Sequence, residues 1–188
     1  GMGRLPDKMS CVLLVGHGGP EMLEYRSDIP VPRPGPNDVL IRVSAAGVNN
    51  TDINTRTAWY SKDDHEPDDA SWSGQALNLP LVQGADVCGE IVSLGECVDK
   101  ERIGQRVLIE PCLREANNAI LDKPWYFGSE CNGGFAQYTV VASRHAYGVD
   151  STYEDIELAS FPCSYSTAEN MLTRSQVNAG ESVLVTGA

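Results

Sequence analysis

The residues of this chain that could do chemistry fall into three groups. The first is Gly47-Val48-Asn49-Asn50-Thr51-Asp52, which follows an apolar run and puts amides, a hydroxyl and a carboxylate side by side, with Arg56 and Tyr60 just beyond. Read locally, Asn49 or Asn50 caps a helix over Asn50–Arg56, and Asp52 in its first turn favours the helix dipole. Asp52 and Arg56 are spaced to pair along one face. On that local reading Asn49 is a loop or capping residue. The second group is six cysteines, at 11, 88, 97, 112, 131 and 163. They are scattered with no CxxC pair, so reduced thiols are expected rather than a disulfide framework. Cys163 reads as a small buried apolar residue. The third group is His17, His65 and His145, which sit in turn-rich or polar surroundings and are expected at the surface.

The elements that must position these residues are mostly strands. Ser10–Val15 and Met22–Ser27 read as β segments separated by the turn His17-Gly18-Gly19-Pro20. Ile29–Asn37 is too rich in proline for a ladder and is expected to be a polyproline-like connector. Asp38–Ser44 alternates and predicts a half-buried strand. Ala85–Leu94, Arg106–Glu110 and Phe135–Ala142 predict three more strands. Lys62–Gly74 is an acidic stretch without apolar period, read as a solvated loop, with a lid as the alternative because Trp59, Tyr60 and Trp72 lie in and beside it. Past about Asp150 the texture changes. Tyr153–Ser160 and Ser164–Arg174 predict helices, and Ser182–Thr186 is a nearly all-apolar run that predicts a buried parallel strand. A parallel strand followed by Gly187 is how a dinucleotide-binding βαβ unit opens.

Composition excludes several classes. The chain has 188 residues and a formal net charge of −12, which opposes binding to nucleic acid or to an anionic leaflet. Its longest apolar stretches are strand-sized, far below the ~20 residues of a spanning helix. With no signal-peptide pattern at GMGRLPDKMS, a cytoplasmic protein is expected. Gly1 ahead of Met2 is read as a scar of tag removal.

Three segments in order resemble the medium-chain dehydrogenase/reductase superfamily, which holds the zinc alcohol dehydrogenases and their quinone oxidoreductase relatives. They are VPRPGPNDVLIRVSAAGVNNTD (Val31–Asp52), LVQGADVCGEIVSLG (Leu81–Gly95) with IGQRV (Ile103–Val107), and FPCSYSTAENMLTRSQVNAGESVLVTGA (Phe161–Ala188). The resemblance implies a mainly β fold, a GroES-like partly open β-barrel with short flanking helices, over residues 9–150. It implies linker helices and the first strand of an incomplete α/β Rossmann domain over 151–188, and NADP or NAD as cofactor.

Departures from the zinc pattern are informative. The loop position of the first zinc ligand is Asn49, the position of the ligating His is Ala85 within Gly84-Ala85-Asp86, and only Cys163 fits the third. A catalytic zinc needs three protein ligands, so none is expected. Between Val107 and Phe135 only Cys112 and Cys131 occur, too few for the family's structural zinc. The loop is similar to that of the zinc-free quinone oxidoreductases, with Asn54 where that branch usually has a tyrosine. The resemblance then implies that the Asn49 amide and the Tyr60 hydroxyl donate to the substrate oxygen, that Thr51 relays a proton, and that Asp52 is structural. It implies that Thr167 lies beside the nicotinamide and that Gly187 and Ala188 begin the phosphate-binding turn. A chain ending at Ala188 is expected to hold a dinucleotide weakly, because the helix N-terminus that binds pyrophosphate would lie beyond it. The expected partner is a small carbonyl, enone or quinone, with a homodimer for the full-length protein. Two rivals stand: a zinc alcohol dehydrogenase with unusual ligands including Cys163, and a non-enzymatic GroES-like binding module.

Overall fold

The computed structural model describes residues 4–48, 79–150 and the backbone of 183–186. The expected helices over 50–56, 153–160 and 164–174 and the acidic stretch 62–74 lie outside the described residues. Eleven strands run in chain order: β1 Lys8–Leu14, β2 Leu23–Pro30, β3 Asp38–Val48, β4 Leu81–Val82, β5 Asp86–Leu94, β6 Arg106–Ile109, β7 Cys112–Ala116, β8 Ala119–Tyr126, β9 Tyr138–Ala142, β10 Ala146–Gly148 and β11 Val183–Thr186. Among the described residues, short 3-10 turns at Pro20–Met22, Lys100–Arg102 and Ser143–His145 lie between them. Among the described residues no helix is long and apolar enough to cross a membrane.

The strands form sheets ordered β2-β1-β4 and β10-β6-β5-β3-β11, with β9 also on β3, and a separate hairpin β7-β8. One segment joins the two larger sheets. Residues 135–137 pair with β1, through Val12 N to Phe135 O at 2.8 Å and Gln137 N to Ser10 O at 3.0 Å. The same chain then continues as β9 along Asp38–Arg42 of β3. Changing partners in mid-run curves the sheets into a partly closed barrel. Its core gathers Leu13, Ile41, Val87, Ile91, Val107 and Phe127, among others.

Several expectations are corrected. Ile29 and Pro30 belong to β2, with Pro30 opposite Lys8, so the connector begins only at Val31. Pro30 is tolerated because β2 is an edge strand. The strand from Asp38 is not half-buried: it extends to Val48, and every residue but Arg42 and Ser44 is buried. Its register shifts twice against β5, between Leu40 and Ile41 and between Val43 and Ala45. Each shift changes which side chains face the core, which defeats a simple alternation. The hairpin β7-β8 was not foreseen. Its two-residue turn, Asn117-Asn118, has φ of 51° and 65°, the left-handed backbone that asparagine tolerates and that a tight hairpin requires. His145 is also corrected: it is 4% exposed, not a surface residue.

Candidate functional site

The site expected from the sequence lies past the end of β3, and three chain segments meet there. β3 ends at Val48, so Asn49 is its next residue. β5 starts at Asp86 in antiparallel pairing, with Asp86 opposite Gly47. β11 runs parallel to β3, with Val185 opposite Gly47 and Thr186 opposite Val48, so the chain leaves both strands at the same rim. β5 takes one edge of β3. β9 and β11 share the other, β9 at Asp38–Arg42 and β11 at Ala45–Val48. Asn49, Thr51, Asp52 and Tyr60, and with them Thr167, Gly187, Ala188 and Cys163, lie outside the described residues.

The described rim explains why the sequence folds this way. Ala46 and Val87 face the main core, so their neighbours Ala45, Gly47, Asp86 and Cys88 face the opposite side of the sheet. Asp86 is 1% exposed there, the one carboxylate among the largest fully buried side chains. Sequence reasoning passed over it. The signal was an acid among small and apolar residues at the start of the strand, in ADVCGEIV.

Just before Asp86 the backbone is held by glycines. Gly84 has φ +106°, and a Cβ there would meet the Phe135 ring at 2.6 and 2.8 Å. A Cβ on Gly128 would lie 2.8 Å from the Gly84 nitrogen, and one on Gly133 would strike the Gly84 carbonyl oxygen. Phe135 N donates to Gln83 O at 2.9 Å and Gly134 N to Gly84 O at 2.9 Å. Bare backbones thus pack against each other where any side chain would push them apart.

Among the described residues no group of three or more His, Cys, Asp or Glu could hold a metal ion. Ala85, which precedes Asp86, is fully buried, and its methyl side chain has no atom that could bind a metal. Of the two cysteines in the hairpin region, Cys112 pairs with Tyr126 across β7-β8. Cys131 bridges to Phe127. Burial pushes the Cys131 thiol up to about 12 and that of Cys11 up to about 11, so both remain protonated near neutrality. Cys97 and Cys112 are exposed, and burial together with Glu110 raises the Cys112 thiol. Iodoacetamide at pH 8 should therefore label Cys97 first and Cys112 more slowly. Cys11, Cys88 and Cys131 should react only after unfolding. Peptide mass spectrometry reads the order, and early labelling of Cys131 would contradict it.

A cavity of about 690 Å³ lies elsewhere, between β1, β4, β9 and the hairpin, with Met9, Leu13, Val82, Trp125 and Tyr138 in its walls and Arg33 at its edge. It includes neither Val48 nor Asp86 and is distinct from the rim just described.

Comparison with known proteins agrees with this architecture. Residues 35–151 match the family model described as the alcohol dehydrogenase GroES-like domain. The chain is 33% identical over 181 residues to human quinone oxidoreductase, covering 96% of this chain and 46% of that protein. It is 29% identical to an NAD-dependent alcohol dehydrogenase of Sulfolobus acidocaldarius, covering 96% and 52%. A solved structure from Sinorhizobium meliloti, classed with the alcohol dehydrogenases, superimposes with a TM-score of 0.76 at 41% identity, over 94% of this chain and 50% of that one. The chain thus spans about half the length of the curated relatives it matches. With the partly closed barrel and the matched residues 35–151 in agreement, the chain belongs to the alcohol dehydrogenase GroES-like domain family, within the medium-chain dehydrogenase/reductase superfamily.

Proposed function

We propose that this chain is the substrate-side portion of an NAD(P)H-dependent oxidoreductase that reduces quinones, enones or related carbonyls by hydride transfer without a catalytic or structural zinc. The observation that supports the zinc-free reading is the buried alanine at 85, together with the asparagine that the sequence has at 49, at two positions that the family resemblance assigns to ligands. An amide is a poor zinc ligand and a methyl group is none. The likeness to quinone oxidoreductase supports the substrate class. Residues 9–150 are proposed as the catalytic domain, and 151–188 as linker helices and the opening of the nucleotide-binding domain.

The nicotinamide, when bound, supplies the hydride. The chain's own residues have the remaining work. The Asn49 amide and Tyr60 hydroxyl donate to the carbonyl oxygen and stabilise the charge that develops there. Thr51 passes a proton toward that oxygen, and Asp52 pairs with Arg56 and holds the loop. Thr167 packs beside the nicotinamide, and Gly187 and Ala188 begin the turn that meets the pyrophosphate. The free thiols support a reducing, cytoplasmic setting, and the family resemblance supports a homodimer.

Two measurements test this on the longest form of the protein that the gene encodes. NADPH or NADH oxidation is followed at 25 °C with quinones, enones and aldehydes, and zinc is measured in the same preparation by mass spectrometry. Turnover with far less than one zinc per chain is the expected result. Stoichiometric zinc overturns the metal-free reading, and no cofactor oxidation with any substrate overturns the reductase itself.

A further inference from the structure

His145 closes the 3-10 turn Ser143–His145 between β9 and β10, and it is held from two sides. Arg102, from the turn Lys100–Arg102, donates from Nη1 to the Ser143 carbonyl at 2.8 Å and to its hydroxyl at 2.7 Å, and from Nη2 to the Ala146 carbonyl. The Glu110 N–H donates to the His145 carbonyl at 2.8 Å. The imidazole fixed in this way meets β7 at its bulge, where the register shifts between Leu113 and Glu115. Its Nε2 accepts from the Arg114 N–H at 3.0 Å and from the Glu115 N–H at 3.2 Å. A bulge turns neighbouring N–H groups out of the ladder, and here a single ring nitrogen satisfies both. That nitrogen accepts only while it carries no proton, so the ring is the neutral tautomer with its hydrogen on Nδ1.

We propose that His145 is a pH-operated clasp on the β7-β8 hairpin, closed while Nε2 is a bare lone pair and opened when a proton occupies it. The imidazolium would point a donor at two donors, so both bonds break together. β7-β8 is a two-stranded sheet of its own, marginal without outside fastening. Its other described polar ties to neighbouring elements include Asn37 Nδ2 to Asn118 Oδ1 at 3.2 Å and the half-exposed ion pair of Arg144 with Glu115 at 3.9 Å. The hairpin runs on into the glycine turn that packs against Gly84, so the clasp bears on the rim where the reductase site is proposed.

The charged groups around the ring set the direction of its titration. Burial is the largest influence and disfavours the charged ring, and Arg144 beside it and Arg114 on β7 act the same way, whereas Glu115 and Glu110 favour the charge. Arg102 is taken up by its bonds to the Ser143 and Ala146 carbonyls. The ring is therefore held below the usual histidine value of 6.5. A histidine depressed in the folded state contributes stability in full above the unfolded value, and that contribution is lost as pH falls through the folded value.

The test is a histidine and amide NMR titration of the full chain from pH 8 downward, with hydrogen exchange corrected for intrinsic rate. Protection of the Arg114 and Glu115 amides should fall by about tenfold or more as His145 titrates, with the same midpoint. The β3 and β5 amides of Val43 and Ile91 should stay protected. His145→Gln, whose side-chain oxygen accepts at every pH, should abolish the dependence. If that variant does not fold, coincidence of the two midpoints in the native chain decides the matter. A His145 that stays neutral down to pH 4.5, midpoints that differ, or equal loss at Val43 and Ile91 each overturns the proposal. None of these readings depends on cofactor oxidation, so they stand apart from the proposed reductase activity.

Discussion

Gly84→Ala is expected to cost about 3 to 5 kcal/mol of folding stability, combining a left-handed backbone with overpacking. At φ +106° the new methyl group would lie 2.6 Å from the Phe135 ring and 3.0 Å from the Phe135 nitrogen. Phe135 cannot retreat, since its N–H is bonded to Gln83 O and its carbonyl to Val12 N. Gly104 provides the control. It also has positive φ, +82°, but a Cβ there would meet only Glu90 Oε1 at 3.8 Å. Gly104→Ala should therefore cost only the backbone strain, about 1 to 2 kcal/mol. Urea unfolding followed by circular dichroism separates the two. Equal losses would mean that the packing of Gly84 against the 128–135 segment is not what holds the turn before β5.

If the proposed function holds, Asn49→Ala should lower kcat by about a hundredfold in the longest form of the protein that the gene encodes, the scale expected for removing one donor to a developing oxyanion. KM for the nicotinamide cofactor should change little, because the amide is proposed to act on the substrate oxygen. Asn49→Asp should do worse than alanine, since a carboxylate repels the charge that forms. Steady-state kinetics with a quinone checks both. An alanine variant within twofold of the parent would return Asn49 to the loop-residue reading that its local chemistry allows.

Strands that carry long apolar runs were legible in the sequence. β1, β5 and β6 lie within a few residues of their expected spans. β9 differs instructively: Phe135–Gln137 have the right pattern for a strand, but Phe135 pairs with β1 and Gln137 is shared between β1 and β3, and pairing choice leaves no mark on a local pattern. β3 was legible in position and wrong in burial, because its two register shifts break the phase on which alternation depends. The hairpin was hidden for the opposite reason. LREA and AILDKPWY are charged and partly exposed on both faces, so hydrophobic period is lost, and the pair Asn117-Asn118 was the only local clue. His145 was misread because Ser143 and Arg144 make its surroundings look polar, whereas its partners lie about 30 residues back in the chain. For the site, motif order located the segment after β3. The burial of Asp86 against Gly47 belongs to the ladder and could not be read from ADVCGEIV alone.

The segment that leaves β1 for β3 also has a consequence in time. The Ser10 backbone is bonded to the side chain and the N–H of Gln137, a contact spanning 127 residues. Such long-range pairing is slow, because loop-closure entropy must be overcome before the contact forms. During synthesis β1 and β2 are the first strands of the barrel to emerge and can join as a hairpin, but the side of β1 that Phe135–Gln137 will occupy stays bare until that segment has been made. The barrel is therefore a late-closing fold. Its earliest-made strands wait longest for their partner and are the part of the molecule most exposed to mispairing before closure.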